Sequence, residues 1–149
     1  MMHRSYRLGF DVWGLVLFLL VMLPNFIWFV FPAPNDVLRT ESVTPVVDLI
    51  ASICQVMTVA CLCLVINTKR PGLRFSLLAA TVVPCIVVYY LSWVLYYAGI
   101  AGPRIVLTLA IAPCVAFILF AIDRKNLPAV VFASAFTVCH IVFAVRNFL

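Results

Sequence analysis

Five apolar blocks, each close to twenty residues long, take up almost the whole chain and leave it few folds to choose from. They run approximately over Gly9–Phe31, Pro45–Ile66, Phe75–Tyr97, Arg104–Ile122 and Pro128–Asn147. A helix rises about 1.5 Å per residue, so about twenty apolar residues cross the roughly 30 Å of a bilayer's hydrocarbon core. Charged residues hold only 10% of the 149 positions and hydrophobic ones 66%, whereas a soluble domain carries about 25% charged residues. The expected fold is therefore an all-α integral membrane protein, a single five-transmembrane-helix bundle spanning 1–149. The connections between the later spans are short, which makes consecutive helices antiparallel neighbours.

Charge sets the expected orientation. Alternating spans gather Arg4, Arg7, Lys69, Arg70, Arg74, Arg124 and Lys125 on one side and Arg39, Arg104 and Arg146 on the other. The basic side is expected to be cytoplasmic, with the N-terminus inside, the C-terminus outside and the chain multi-pass in a bacterial plasma membrane. The net charge of +5 then requires no nucleic acid, because the NTKRPGLR and DRKN loops act as topology signals that meet anionic lipid. MMHRSYR has the basic start of a secretory signal. The run after it is too long for a signal's apolar region and PAPND offers no small-residue cleavage site, so an uncleaved first helix is expected.

Punctuation within the spans is equally informative. Thr44 before Pro45 reads as an N-cap followed by proline at the first helical position, with Asp48 in the first turn. Asp11 reads as a carboxylate near the start of helix one, favoured there by the helix dipole. Pro24, Pro84 and Pro113 each remove a backbone donor within a span and are expected to bend it. The carbonyl freed by Pro24 lies near Leu20, with Asn25 as a neighbouring donor. Six cysteines fall inside the spans without a CxxC pair; they read as small apolar residues, and neither a metal site nor a cofactor is expected. No repeat divides the chain, which disfavours an inverted-repeat transporter.

Polar residues in hydrocarbon cost free energy unless they face protein or water, so their helical phase carries the information. Asp48, Ser52 and Gln55 stand at i, i+4 and i+7 in the outer half of span two. Tyr89, Trp93 and Tyr96 do the same in span three, where Tyr96 fits an interfacial aromatic belt, and belt and pocket wall are equal alternatives for Tyr89 and Trp93. Asn25 and Trp28 of span one, Arg104 and Thr108 of span four and His140 of span five add to the same end. The inner halves hold little beyond Ser76, Thr81, Thr58 and cysteines. Outside, Asp36, Glu41 and Asp48 balance Arg39, Arg104 and Arg146, a count that suits a lid or an ion-paired clamp tying the loop to helices two, four and five.

Three functions fit this pattern. The first is a pocket in the outer half for a small amphipathic or aromatic ligand or lipid, with transport as an extension. Its residues would be Asn25, Trp28, Asp48, Ser52, Gln55, Tyr89, Trp93, Tyr96, Arg104, Thr108 and His140. The second is an enzyme acting on a lipid-like substrate through Asp48 or Glu41 with His140. No GxSxG, HExxH, HxxxH or DDxxD motif supports it. The third is an accessory subunit with a purely structural clamp, as a homodimer or within a larger membrane complex. The stretch LPNFIWFVFPAPNDVLRTESVTPVVD is similar to small bacterial polytopic membrane proteins of unannotated function, a resemblance that implies no activity. The sterol-isomerase and sigma-receptor superfamily and the five-helix tryptophan-rich sensory proteins are analogues in architecture alone, and no site carries over from them.

Overall fold

In a computed structural model, which describes residues 5–69 and 76–149, the chain forms five long helices and one short β-ribbon. Strand β1 (Tyr6–Leu8) precedes α1 (Val12–Val30); α2 (Pro45–Leu64) runs straight into β2 (Val65–Asn67); α3 (Leu77–Tyr97), α4 (Pro103–Asp123) and α5 (Leu127–Phe148) follow. All five helices are long and apolar enough to cross a membrane, and the chain is a multi-pass helical membrane protein. The topology signals Arg4, Arg70 and Arg74 lie outside the described residues. The end that carries β1 is called proximal below, and the end that carries the C-terminus distal.

Helix α3 packs on α4, α4 on α5 and α5 on α2, and α1 lies more thinly across α2, α3 and α4. The core between them holds Leu17, Leu62, Trp93, Phe117 and Phe120, with alanines 116, 121, 129 and 133 on α4 and α5. Small residues let α4 and α5 approach closely, the usual packing device where lipid removes any hydrophobic drive between helices. Apolar clefts of about 450 and 490 Å³ flank α1, the first against α3 and the second against α2. At Gly14 the two helix backbones touch: a Cβ there would come within 2.5 Å of the Leu62 carbonyl oxygen.

Hydrogen bonds make up for the thin packing of α1. The Tyr90 hydroxyl donates to the Leu20 carbonyl (2.7 Å), the group that Pro24 leaves without its helical donor. Tyr89 donates to Val21 O (3.0 Å) and Tyr97 to Phe31 O (2.6 Å). Asn25 donates both to Val21 O and to the Tyr89 hydroxyl (2.9 and 2.7 Å). The phenols of α3 therefore pin α1 along its distal half. Pro24, Pro84 and Pro113 all lie inside helices that continue past them.

The proximal end departs from the sequence expectation. Span one begins at Val12, not Gly9, because residues 6–8 pair antiparallel with 65–67 in the register Tyr6–Asn67, Arg7–Ile66 and Leu8–Val65. Asp11 becomes the N-cap and accepts from the backbone N–H groups of Trp13 and Gly14. Its other oxygen pairs with Arg124, whose Nε lies 2.8 Å away and whose Nη2 also donates to it. Arg124, read from sequence as an exposed topology charge, is only 5% exposed, and Asp11 7%. Ser76 caps α3 by accepting from Ala79 N and bonds Asp123 with the same hydroxyl. The proximal half is thus not poor in polar groups; it contains the most deeply buried charged ones.

A six-residue-type turn explains how these groups become enclosed. At the end of α4 the Asn126 N–H bonds Ala121 O and the Lys125 N–H bonds Ile122 O, with Lys125 in the left-handed region at φ 50°. This is a Schellman cap made without glycine. It tucks Asn126 under the bundle, where its amide donates to Cys61 O and Val65 O (2.8 and 2.9 Å) while its oxygen caps α5 at Ala129 N. At the distal end, Gly99 at φ 88° forms the corresponding cap of α3, with Ile100 N bonded to Leu95 O.

Candidate functional site

The distal residues singled out by helical phase divide into three groups. Asp36 gathers the first, in the loop above α1 and α3. It accepts from Trp28 Nε1 (2.8 Å), the Tyr96 hydroxyl (2.9 Å) and Arg39 Nε (2.7 Å). Arg39 also donates to the Trp28 and Phe29 carbonyls and stacks over the Trp28 ring at 4.8 Å. Burial works against the Asp36 charge, but the bonds from Trp28, Tyr96 and Arg39 outweigh it and hold the carboxyl below its ordinary 3.8. A folded-state pKa below the unfolded one contributes stability that is present above the unfolded value and lost as pH falls through the folded one. Acid unfolding of Asp36→Asn should therefore lack a component that the unsubstituted protein loses only below pH 3.8. Parallel stability curves for the two proteins through that range would refute this role.

The ion-paired clamp is smaller than expected. Among the described residues Asp36 pairs with Arg39 alone and ties the loop to α1 and α3, while the loop's link to α5 is a neutral one, Val43 N–H donating to Asn147 Oδ1 (2.8 Å). Glu41, Arg104 and Arg146 are exposed and make no ion pair among the described residues. A 3-10 turn at Val37–Arg39 causes this by folding Asp36 back over Trp28 and Tyr96. Thr44 does stand at the N-cap of α2, but its hydroxyl donates to Asp48 Oδ1 (3.0 Å) and accepts from Asn147 Nδ2 (3.0 Å) instead of capping a backbone N–H.

Two cavities hold the other groups. The first, about 220 Å³, lies among α1, α3, α4 and α5; Asn25, Trp28, Tyr89, Trp93 and His140 line it with Ala110, Phe143 and Phe148. Trp93 is the hub of its aromatic wall, with ring centroids 6.4 Å from Trp28, 6.3 Å from Tyr89 and 5.7 Å from Tyr96. Its indole N–H is fully buried and makes no well-formed hydrogen bond among the described residues, its polar neighbour being the Tyr89 hydroxyl. The Tyr89 hydroxyl near it is engaged with Asn25 and Val21. The second cavity, about 240 Å³, opens between α2 and α5 and is lined by Asp48, Ser52, Gln55, Phe136, His140 and Phe143.

His140 and Phe143 form the wall common to both cavities. The His140 ring packs between Phe136 (centroids 4.9 Å apart) and Phe143 (6.0 Å), and no described residue hydrogen-bonds its nitrogens. Tyr96 stands apart from both cavities, fully buried, with its hydroxyl on Asp36 and Leu38 N. Thr108 bonds its own helix at Arg104 O, and neither residue reaches a cavity. Phe136 and Phe143 went unnoticed in the sequence although they stand at i and i+7 around His140 at i+4, the spacing that marked the facing stripe on α2. Asn126 was equally legible, as an N-cap residue two places before Pro128.

No group of three or more His, Cys, Asp or Glu side chains among the described residues has a metal-binding arrangement, and the six cysteines are unpaired. In comparisons with known proteins the chain matches no family model, and neither the curated proteins nor the solved structures give a significant match.

Proposed function

We propose that this protein binds a small amphipathic or aromatic molecule in the distal half of its bundle, within the paired cavities on either side of His140. The observation that carries the reading is His140 itself, a half-buried imidazole whose nitrogens have no hydrogen-bond partner among the described residues, standing between two cavities. In a bilayer an unpartnered polar group costs several kcal/mol, so such groups mark places where water or a ligand completes the bonding. The Trp93 N–H supplies a second donor of this kind, and the surrounding rings supply flat apolar area. A cavity of about 150 Å³ takes up benzene, so 220 Å³ suffices for one substituted ring.

Binding is favoured over transport. A path to the proximal side would have to cross Leu62, Phe117 and Phe120 and then the buried Asp11–Arg124 pair. We read the proximal end as cytoplasmic in a bacterial plasma membrane, on the strength of Arg7, Lys69 and Lys125 there and the positive-inside tendency. A second reading, acid–base catalysis on a lipid-like substrate, is supported only by Asp48 and His140 lining one cavity; Glu41 does not line it, and the Ser52 hydroxyl beside them donates to its own helix at Asp48 O (2.8 Å) instead of to a base.

The probe for binding is 2-phenylethanol, one ring with a hydroxyl that both donates and accepts. It should raise the thermal midpoint of the purified protein by a few degrees at saturation. Ala110→Leu, which fills the first cavity from α4, should remove that rise. No rise in the unsubstituted protein, or an equal rise in the variant, would defeat the proposal.

A further inference from the structure

The cavity between α2 and α5 is chemically unlike its neighbour. Its polar wall is Asp48, whose Oδ1 accepts from Thr44 while Oδ2 has no hydrogen-bond donor among the described residues. No described lysine or arginine lies within ion-pairing distance of that carboxylate, the two ion pairs among the described residues being Asp36–Arg39 and Asp11–Arg124, and the one titratable group that faces it across the cavity is the His140 imidazole, beyond ion-pairing distance. Arg104 and Arg146, the bases expected to neutralise it, face outward instead. Gln55 and His140, on the same cavity, also have no hydrogen-bond partner among the described residues. The opposite wall is aromatic, Phe136 and Phe143 flanking the His140 ring.

A carboxylate without a counter-ion, set against aromatic faces, has the recognition chemistry of an organic ammonium ion. The carboxylate accepts from N⁺–H, and the negative faces of the rings attract the cation's hydrocarbon shell. An inorganic cation would ask for several oxygen ligands, and here one carboxylate, one amide and one hydroxyl face two phenyl rings. We infer that the ligand is a protonated arylalkylamine, its ammonium held at Asp48 in the α2/α5 cavity and its ring directed to the Trp28–Trp93 cavity past His140. The inference rests on the binding role proposed above and names the class of its ligand. Its geometry requires the His140 side chain to turn, because that ring and Phe143 line both spaces.

The test compares phenethylammonium with 2-phenylethanol, which has the same ring and chain length but no charge. Binding is read by thermal shift and tryptophan fluorescence at pH 7, where an alkylamine is protonated. The protein is held in nanodiscs of zwitterionic lipid, so that the amine gains nothing from an anionic surface. The ammonium should bind about tenfold more tightly than the alcohol. Asp48→Asn should abolish that preference, making the ammonium's affinity no greater than the alcohol's, and Asp48→Glu should keep the preference. Equal affinities in the unsubstituted protein would overturn the ammonium assignment while leaving the binding role intact. A preference that survives Asp48→Asn would overturn the part given to Asp48. Binding of neither probe would overturn the inference together with the reading beneath it. The comparison in the unsubstituted protein decides the ammonium assignment by itself if either variant does not fold.

Discussion

Arg124→Ala should lower the stability of this protein by about 3–5 kcal/mol, the cost of leaving one member of a buried ion pair without its partner. The partner is Asp11, 7% exposed at the N-cap of α1, and Arg124 is its only ionic contact among the described residues. Since a domain is stable by only about 5–15 kcal/mol, thermal unfolding in detergent should show a large fall in midpoint. Replacing both residues is expected to be much milder. Asp11→Ser keeps an oxygen to cap Trp13 and Gly14, and Arg124→Met fills the space beside Phe120 without a charge. Arg124 Nη1 has no hydrogen-bond partner among the described residues even in the intact pair, so part of the desolvation cost is already uncompensated. The double variant should therefore recover most of the loss. If it were as unstable as Arg124→Ala alone, the pair would not be acting as a coupled unit.

The second large effect is expected at Asn126, 2% exposed. Its amide closes the carbonyls of Cys61 and Val65 at the end of α2, and its oxygen caps α5 at Ala129. Alanine here removes the cap, strands the Val65 carbonyl and takes from Cys61 O the second of its two donors, the other being Val65 N–H, a loss on the order of 2–4 kcal/mol. Asn126→Asp isolates the donors: it keeps the cap but turns an oxygen toward the two carbonyls, and should be no more stable than alanine. Amide exchange offers the sharper readout, because the β1–β2 ribbon and the last turn of α2 should lose protection before the distal half does. Uniform loss along all helices would contradict this division.

These two sites also show where a sequence stops being legible. The five spans were readable because hydrocarbon imposes length and composition on each helix separately, and the ends of the observed helices fall within a few residues of the apolar blocks. The stripes at i, i+4 and i+7 were readable for the same reason, since phase is a local property. Asp48, Ser52 and Gln55 do share one cavity wall, and Trp28, Tyr89 and Trp93 another. The fate of each charge was not readable. Arg124 looked like an exposed loop residue, and its partner lies 113 positions away.

The equal count of acids and bases at the distal end suggested a clamp for a related reason. Counting charges does not say which of them meet: Asp36 took Arg39 from three residues away, while Arg104 and Arg146 were left facing outward. That unequal outcome leaves Asp48 with no lysine or arginine partner among the described residues, facing His140 across the α2/α5 cavity.

The amino-acid sequence by itself determined that this chain is a bundle of membrane-length helices and which face of each helix is polar, because burial in hydrocarbon acts on one segment at a time. The tertiary structure alone decided which polar faces close on each other and which enclose space. It buried Asp11 with Arg124, joined α3 to α1 through tyrosine hydroxyls, and set His140 between two cavities. Those outcomes depend on the packing of helices distant in sequence, where a few ångströms separate a satisfied hydrogen bond from an open site.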